Sequence, residues 1–130
     1  MNIGKAARAS GLSAKMIRHY EAIGLVQPER RGNSYRDISP QLLAELRFIR
    51  HARDLAFPLE EVRHLLTLWR DRNRAGSEVR QIALEHVAAL EEKSRSLQAV
   101  AESLRHLADH CQDDIRPECP IIEHLEGATA

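Results

Sequence analysis

Residues 13–25 read SAKMIRHYEAIGL. Ser13 is a side-chain cap placed just before a run of good helix formers, and Gly24 is a residue that ends a helix without a Cβ penalty. The stretch therefore predicts a short helix over AKMIRHYEAI. Upstream, residues 4–9 predict another short helix that stops near Gly11. Two helices of this length joined by a glycine-containing turn have the dimensions of a helix-turn-helix. On the second helix Met16, Ile17 and Tyr20 supply the inward face, whereas Lys15, Arg18 and His19 project outward. A helix so decorated fits a major groove, where Arg reaches guanine edges and Lys reaches phosphate. Arg18 is the strongest candidate for base or groove contact and Lys15 for phosphate. His19 and Tyr20 are counted with them as DNA-contact candidates. A basic helix alone suits a protein-interaction module equally well.

Downstream of Pro28, the segment ERRGNSYRDI carries Gly32 and Asn33 at a tight turn, with Tyr35 and Ile38 on short extended flanks. It predicts a small β-wing in which Arg30, Arg31, Tyr35 and Arg36 face the DNA backbone. Ser39 and Pro40 then give an N-cap followed by proline at the first helical position, launching a helix to about Ala56. A further helix begins at Pro58, with Leu59, Val62, Leu65, Leu66 and Trp69 at helical spacing.

From Ser77 to His110 the pattern changes. Ala83, Leu90, Leu97, Leu104 and Cys111 share one heptad position, and Val79, His86, Lys93, Val100 and Leu107 share the other. This alternation is a coiled-coil seam. An unbroken helix of that length is about 50 Å long, too long to be covered by a small domain, so a second copy of the chain is the expected partner. The dimer interface is then Val79, Ala83, Leu90, Leu97, Val100, Leu104 and Leu107. His86 and Lys93 interrupt it, either to set register or as weak packing.

The charge distribution points the same way. The 130-residue chain has zero formal net charge, but residues 1–75 carry 14 Lys and Arg against 8 Asp and Glu, and residues 76–130 carry 5 against 11. A basic first half is the electrostatic footprint of a nucleic-acid partner. The N-terminus has no sustained apolar run, and no segment approaches the roughly 18 apolar residues of a membrane span. A soluble, cytoplasmic protein that does not engage membranes is expected.

In a reducing compartment the two cysteines, Cys111 and Cys119, favour metal binding or redox chemistry over a structural disulfide. Thiolate sulfur is soft and suits Cu(I) and its heavier relatives, and a monovalent d¹⁰ ion is content with two thiolates. Zinc would need two further ligands, from among His106, His110, Asp113, Asp114 and His124. His110 reads rather as a helix C-terminal residue, and the acidic loop residues Asp113, Asp114 and Glu118 as solvated. Ile121, Ile122 and Leu125 form a short amphipathic turn suited to packing against the DNA-binding half. No Ser-His-Asp order, phosphate loop or metalloenzyme motif marks an enzyme, and the seven histidines are scattered.

The linear order of these features resembles the MerR family of transcription regulators. It carries the family's R-x-Y-E-x-x-G-L segment as Arg18-His19-Tyr20-Glu21-Ala22-Ile23-Gly24-Leu25, and similarity continues through RHARDLAFPLEEVRHLL and the long helix. Ser34 stands where the family usually has glycine, in a wing one residue short. The C-x7-C spacing of Cys111 and Cys119 followed by Pro120-Ile121 is similar to the metal loop of the copper-efflux (CueR-type) subgroup. Divalent-ion sensors of the family generally add a cysteine at the start of the dimer helix, where this chain has Ala75-Gly76-Ser77-Glu78.

The resemblance implies a mainly α protein: a winged helix-turn-helix over residues 1–38, a helix pair completing the DNA-binding domain over 39–75, a dimerisation helix over 76–110 paired as an antiparallel coiled coil, and a metal-binding loop with a C-terminal turn over 111–130. It further implies a homodimeric activator on double-stranded promoter DNA that remodels the promoter for RNA polymerase holoenzyme. Its effector would be Cu(I), or alternatively Ag(I) or Au(I), held between Cys111 and Cys119. A thiol-redox or divalent-metal regulator, and a metal buffer that ignores DNA, are the competing readings.

Overall fold

A computed structural model describes residues 1–27, 37–111 and 119–127. It contains six helices, α1 (Ile3–Ser10), α2 (Ala14–Ala22), α3 (Pro40–Asp54), α4 (Leu59–Arg70), α5 (Gly76–Asp109) and α6 (Pro120–Glu126), and no strand among the described residues. The expected wing, with Arg30, Arg31, Tyr35 and Arg36, lies outside the described residues.

The chain divides into two compact units, Met1–Arg80 and Gln81–Ala130. In the first, α1 packs on α2 and α3, and α3 packs on α4. The starts of α1, α2 and α3 are each fixed by a side-chain cap. Asn2, a cap the sequence reading overlooked, accepts from the Lys5 amide at 2.8 Å and opens α1 two residues ahead of Lys5. Ser13 accepts from the Met16 amide at 3.1 Å and Ser39 from the Leu42 amide at 3.0 Å, the two caps the sequence predicts. The core these helices enclose contains Ala6, Ile17, Tyr20, Val26, Leu46, Ile49, Val62 and Leu66, each no more than 2% exposed. Phe48 of α3 stacks on Trp69 of α4 with ring centroids 4.7 Å apart and planes within 9°. Beside the stack, Arg70 donates to the buried Glu45 carboxylate at 2.7 Å, so the α3–α4 pairing has a polar as well as an aromatic tie.

Three expectations are corrected. Met16 is 37% exposed, so the inward face of α2 is Ile17 and Tyr20, three residues apart, without it. Helix α3 stops at Asp54 rather than Ala56, because Ala56 adopts φ 65°, a left-handed conformation that cannot continue a right-handed helix. Ile38 is not part of a strand; its amide donates to the Met1 carbonyl at 2.7 Å and its carbonyl accepts from the terminal ammonium at 3.0 Å.

Helix α5 is 34 residues long and carries no proline. Its expected seam is in large part uncovered in the single chain: Leu97, Val100 and Leu104 are 64%, 63% and 54% exposed. Near the helix start the buried positions are Ile82 and His86, an i,i+4 pair, while Val79 is half-buried and Ala83 exposed. His86, expected as a polar interruption of the apolar row, is as buried as Ile82. In the second unit, the expected amphipathic turn is the seven-residue helix α6, ended by Gly127. His124 of α6 faces Val100, Ser103, Leu104 and Leu107 of α5 across a cavity of about 400 Å³. No helix among the described residues is long and apolar enough to cross a membrane.

Candidate metal centre and nucleic-acid interface

The putting forward of α2 is achieved by its neighbours. Lys15, Arg18 and His19 are exposed along it. Tyr20, expected among the DNA contacts, is only 2% exposed: its ring is part of the core, so its place in the helix is to anchor rather than to reach outward.

The carbonyl-bearing ends of the helix-turn-helix are held by arginines from α3 and α4. Arg63 donates to the carbonyls of Ile23 and Gly24 at 3.3 Å each, just past the end of α2. Arg47 donates to the Ala9 carbonyl at 3.3 Å, and Arg50 to that of Gly11 in the turn. Cations at helix C-termini satisfy carbonyls that have no intrahelical partner and oppose the helix dipole. Sequence reasoning missed all three, since the partners lie 38 to 40 residues apart and no local pattern links them. Gly11 itself has φ 80°, and a Cβ there would lie 2.6 Å from the Arg50 guanidinium. The turn therefore needs glycine for its conformation, while the Arg50 guanidinium, the end of a flexible side chain, would have to shift to admit a Cβ.

The two cysteines arrive from different elements. Cys111 follows the last turn of α5, where its amide donates to the Ala108 carbonyl at 3.0 Å, and Cys119 is the N-cap of α6. Their side chains are within hydrogen-bonding reach of each other. The interaction between the two side chains raises the Cys111 pKa and lowers that of Cys119. The Cys119 sulfur also faces the backbone amides of Ile122 and Ile121, which favour its thiolate, while Glu123 opposes it. Both cysteines are free thiols and neither is fully buried.

These sulfurs are the residues able to hold a soft metal ion. Two converging thiols, with the Ile121 amide beside Cys111 and the Ile121 and Ile122 amides beside Cys119, fit a low-coordinate thiophilic ion. Among the described residues no group of three or more His, Cys, Asp or Glu side chains is placed to enclose a metal. Asp113, Asp114 and Glu118 lie outside the described residues.

Residues 1–68 match the family described as MerR HTH family regulatory protein, and residues 43–107 match that described as MerR, DNA binding. The chain belongs to the MerR family. Its MerR relatives include heavy metal-dependent transcription regulator 2 of Rhizobium meliloti, 51% identical with 100% of this chain and 89% of the relative covered. The HTH-type transcriptional regulator CueR of Escherichia coli O6:H1 is 42% identical, with 98% of this chain and 95% of that protein covered. Among solved structures, the transcription regulator PbrR691 from Ralstonia metallidurans in complex with lead(II) is 30% identical with a TM-score of 0.82, covering 96% of this chain and 98% of that one. These MerR proteins are transcription regulators, not enzymes, and the mainly helical architecture is theirs.

Proposed function

We propose that the chain is a Cu(I)-responsive, homodimeric transcription activator that controls copper efflux or detoxification genes, with Ag(I) and Au(I) as further effectors. The observation that carries this reading is the convergence of the Cys111 and Cys119 sulfurs at the junction of α5 and α6. Two thiolates suit a soft monovalent ion, whereas structural zinc takes four ligands. The likeness to CueR supports the copper assignment, and the names of other relatives support a heavy-metal effector in general.

Within this reading Cys119 is the sulfur prepared to bind first, since its thiolate is already favoured by Cys111 and by the α6 amides. Cys111 at the end of α5 and Cys119 at the start of α6 would hold Cu(I) as thiolates, so Cys111 would have to give up its proton, and the ion would supply a soft centre for both sulfurs. Because a ligand shifts an equilibrium only through different affinities for two states, the signal would reside in how α6 is held with and without the ion. The uncovered Leu97, Val100 and Leu104 support pairing of α5 with α5 of a second copy. Lys15, Arg18 and His19 then supply each protomer's contact to promoter DNA, and the remodelled promoter is taken up by RNA polymerase holoenzyme.

The test is anaerobic titration of reduced protein with Cu(I) and Zn(II), followed by transcription from its promoter. Cu(I) is expected to protect both thiols from alkylation and to activate transcription. Cys111→Ser or Cys119→Ser is expected to abolish the response while leaving operator binding in place. Response to Zn(II) without response to Cu(I), or response to oxidants through a Cys111–Cys119 disulfide, overturns the assignment.

A further inference from the structure

We infer that His106 and His110 form a second metal site, a two-imidazole clamp at the end of α5 for a borderline divalent cation. The rings are one helical turn apart and their centroids are separated by 4.4 Å. His110 Nδ1 lies 2.8 Å from the His106 carbonyl oxygen. A carbonyl only accepts, so Nδ1 carries the proton and Nε2 of His110 keeps its lone pair. This is the arrangement in which histidines meet metals, with the other ring nitrogen tied to a backbone carbonyl that fixes tautomer and ring direction. Both side chains are exposed, so solvent can complete a coordination shell.

Two features of the surroundings favour a cation here. The pair occupies the last turn of a 34-residue helix, where the helix dipole carries negative potential. His106 also borders a cavity of about 480 Å³ whose lining includes the Glu102 carboxylate and the His124 imidazole. The two histidines lie off the Leu97–Leu104–Cys111 row of the heptad, so pairing of α5 through that row does not consume them. No third side chain closes with them into a metal cluster among the described residues, so the site is open, with two protein ligands and water.

Imidazole suits Ni(II), Cu(II) and Zn(II), and thiolate suits Cu(I). The end of α5 therefore offers divalent and monovalent ions different ligands within one stretch of chain. Bridging His106 and His110 pins the final turn of α5, where the Cys111 amide donates a hydrogen bond to the Ala108 carbonyl. This site stands whether or not the copper reading holds, because neither thiol belongs to it.

The experiment uses the full chain carrying Cys111→Ser and Cys119→Ser, titrated calorimetrically with Ni(II), which is redox-inert toward protein. One Ni(II) per chain is expected. His106→Gln and His110→Gln, singly, are expected to weaken binding by more than about tenfold, since even outer-shell changes at metal sites cost about 10–100-fold. Glutamine retains helix propensity, and far-ultraviolet circular dichroism verifies that α5 is intact. His64→Gln, on α4, is expected to leave binding unchanged. Absence of stoichiometric binding, or binding that survives the double substitution His106→Gln/His110→Gln, overturns the inference.

Discussion

Cys111 and Cys119 face each other at the junction of α5 and α6, and their interaction gives two chemically identical side chains different properties: the Cys111 pKa is raised and that of Cys119 lowered. Cys111, as the proton-holding partner and hence the donor, is favoured as the thiol, and Cys119 as the thiolate. Because the thiolate is the nucleophile, Cys119 is expected to be alkylated before Cys111 in metal-free, reduced protein near neutral pH. Mass spectrometry after brief iodoacetamide exposure reads the order. Cys111→Ala removes the donor and is expected to slow modification of Cys119, whereas Cys119→Ala is expected to speed modification of Cys111. Equal rates in all cases would show that the contact does not govern thiol chemistry.

The exposed face of α2 yields a different pair of outcomes. Arg18→Ala is expected to cost about 1–3 kcal/mol on the cognate operator and to relax discrimination at one base position. Lys15→Ala is expected to weaken cognate and unrelated DNA alike and to lower the salt dependence of binding by about one charge. Fluorescence anisotropy at several salt concentrations separates the two. Were Arg18→Ala to act equally on all sequences, it would be a phosphate contact.

Local chemistry explains what the sequence made legible. Ser13 and Ser39 cap helices through side-chain oxygens that reach only two or three residues, so the pattern that reveals them is contained in a short window. The long α5 follows from a repeated apolar spacing in the same way. The pairing of Cys111 with Cys119 was suggested by their spacing at the end of that helix. Contacts made across the fold left no such trace: Arg63 reaches α2 from 40 residues away. Met16 and Tyr20 show the limit within one helix, where side chains four apart share a face but tertiary packing decides that Tyr20 is covered and Met16 is not.

Gly11 tests how far the turn between α1 and α2 depends on its missing side chain. Its φ of 80° is costly for an L-residue, and the added Cβ would meet the Arg50 guanidinium at 2.6 Å. Gly11→Ala is expected to destabilise the protein by about 1–2 kcal/mol from the left-handed backbone alone. Chemical denaturation measures this loss. In the double variant Gly11→Ala/Arg50→Ala the close approach is absent but the backbone cost persists, so only part of the stability should return. Full recovery would assign the whole effect to Arg50.

The exposed row on α5 makes a prediction about assembly. Leu97 and Leu104 are 64% and 54% exposed in the single chain, far more than side chains of this size in the core around Leu46 and Leu66. Burying such residues between two helices removes apolar surface from water at about 25 cal/mol per Å². A charge placed there would instead have to be desolvated without a partner, and two copies of it would face the same seam. Leu97→Glu or Leu104→Glu is therefore expected to convert a dimer to monomer at micromolar concentration in analytical ultracentrifugation. Operator affinity should fall with it, because two linked DNA-binding units gain from effective concentration that separate ones lack. The α1–α4 unit, whose core lies elsewhere, is expected to keep its structure. A Leu97→Glu/Leu104→Glu chain that sediments as a dimer would place the contact between copies on another surface.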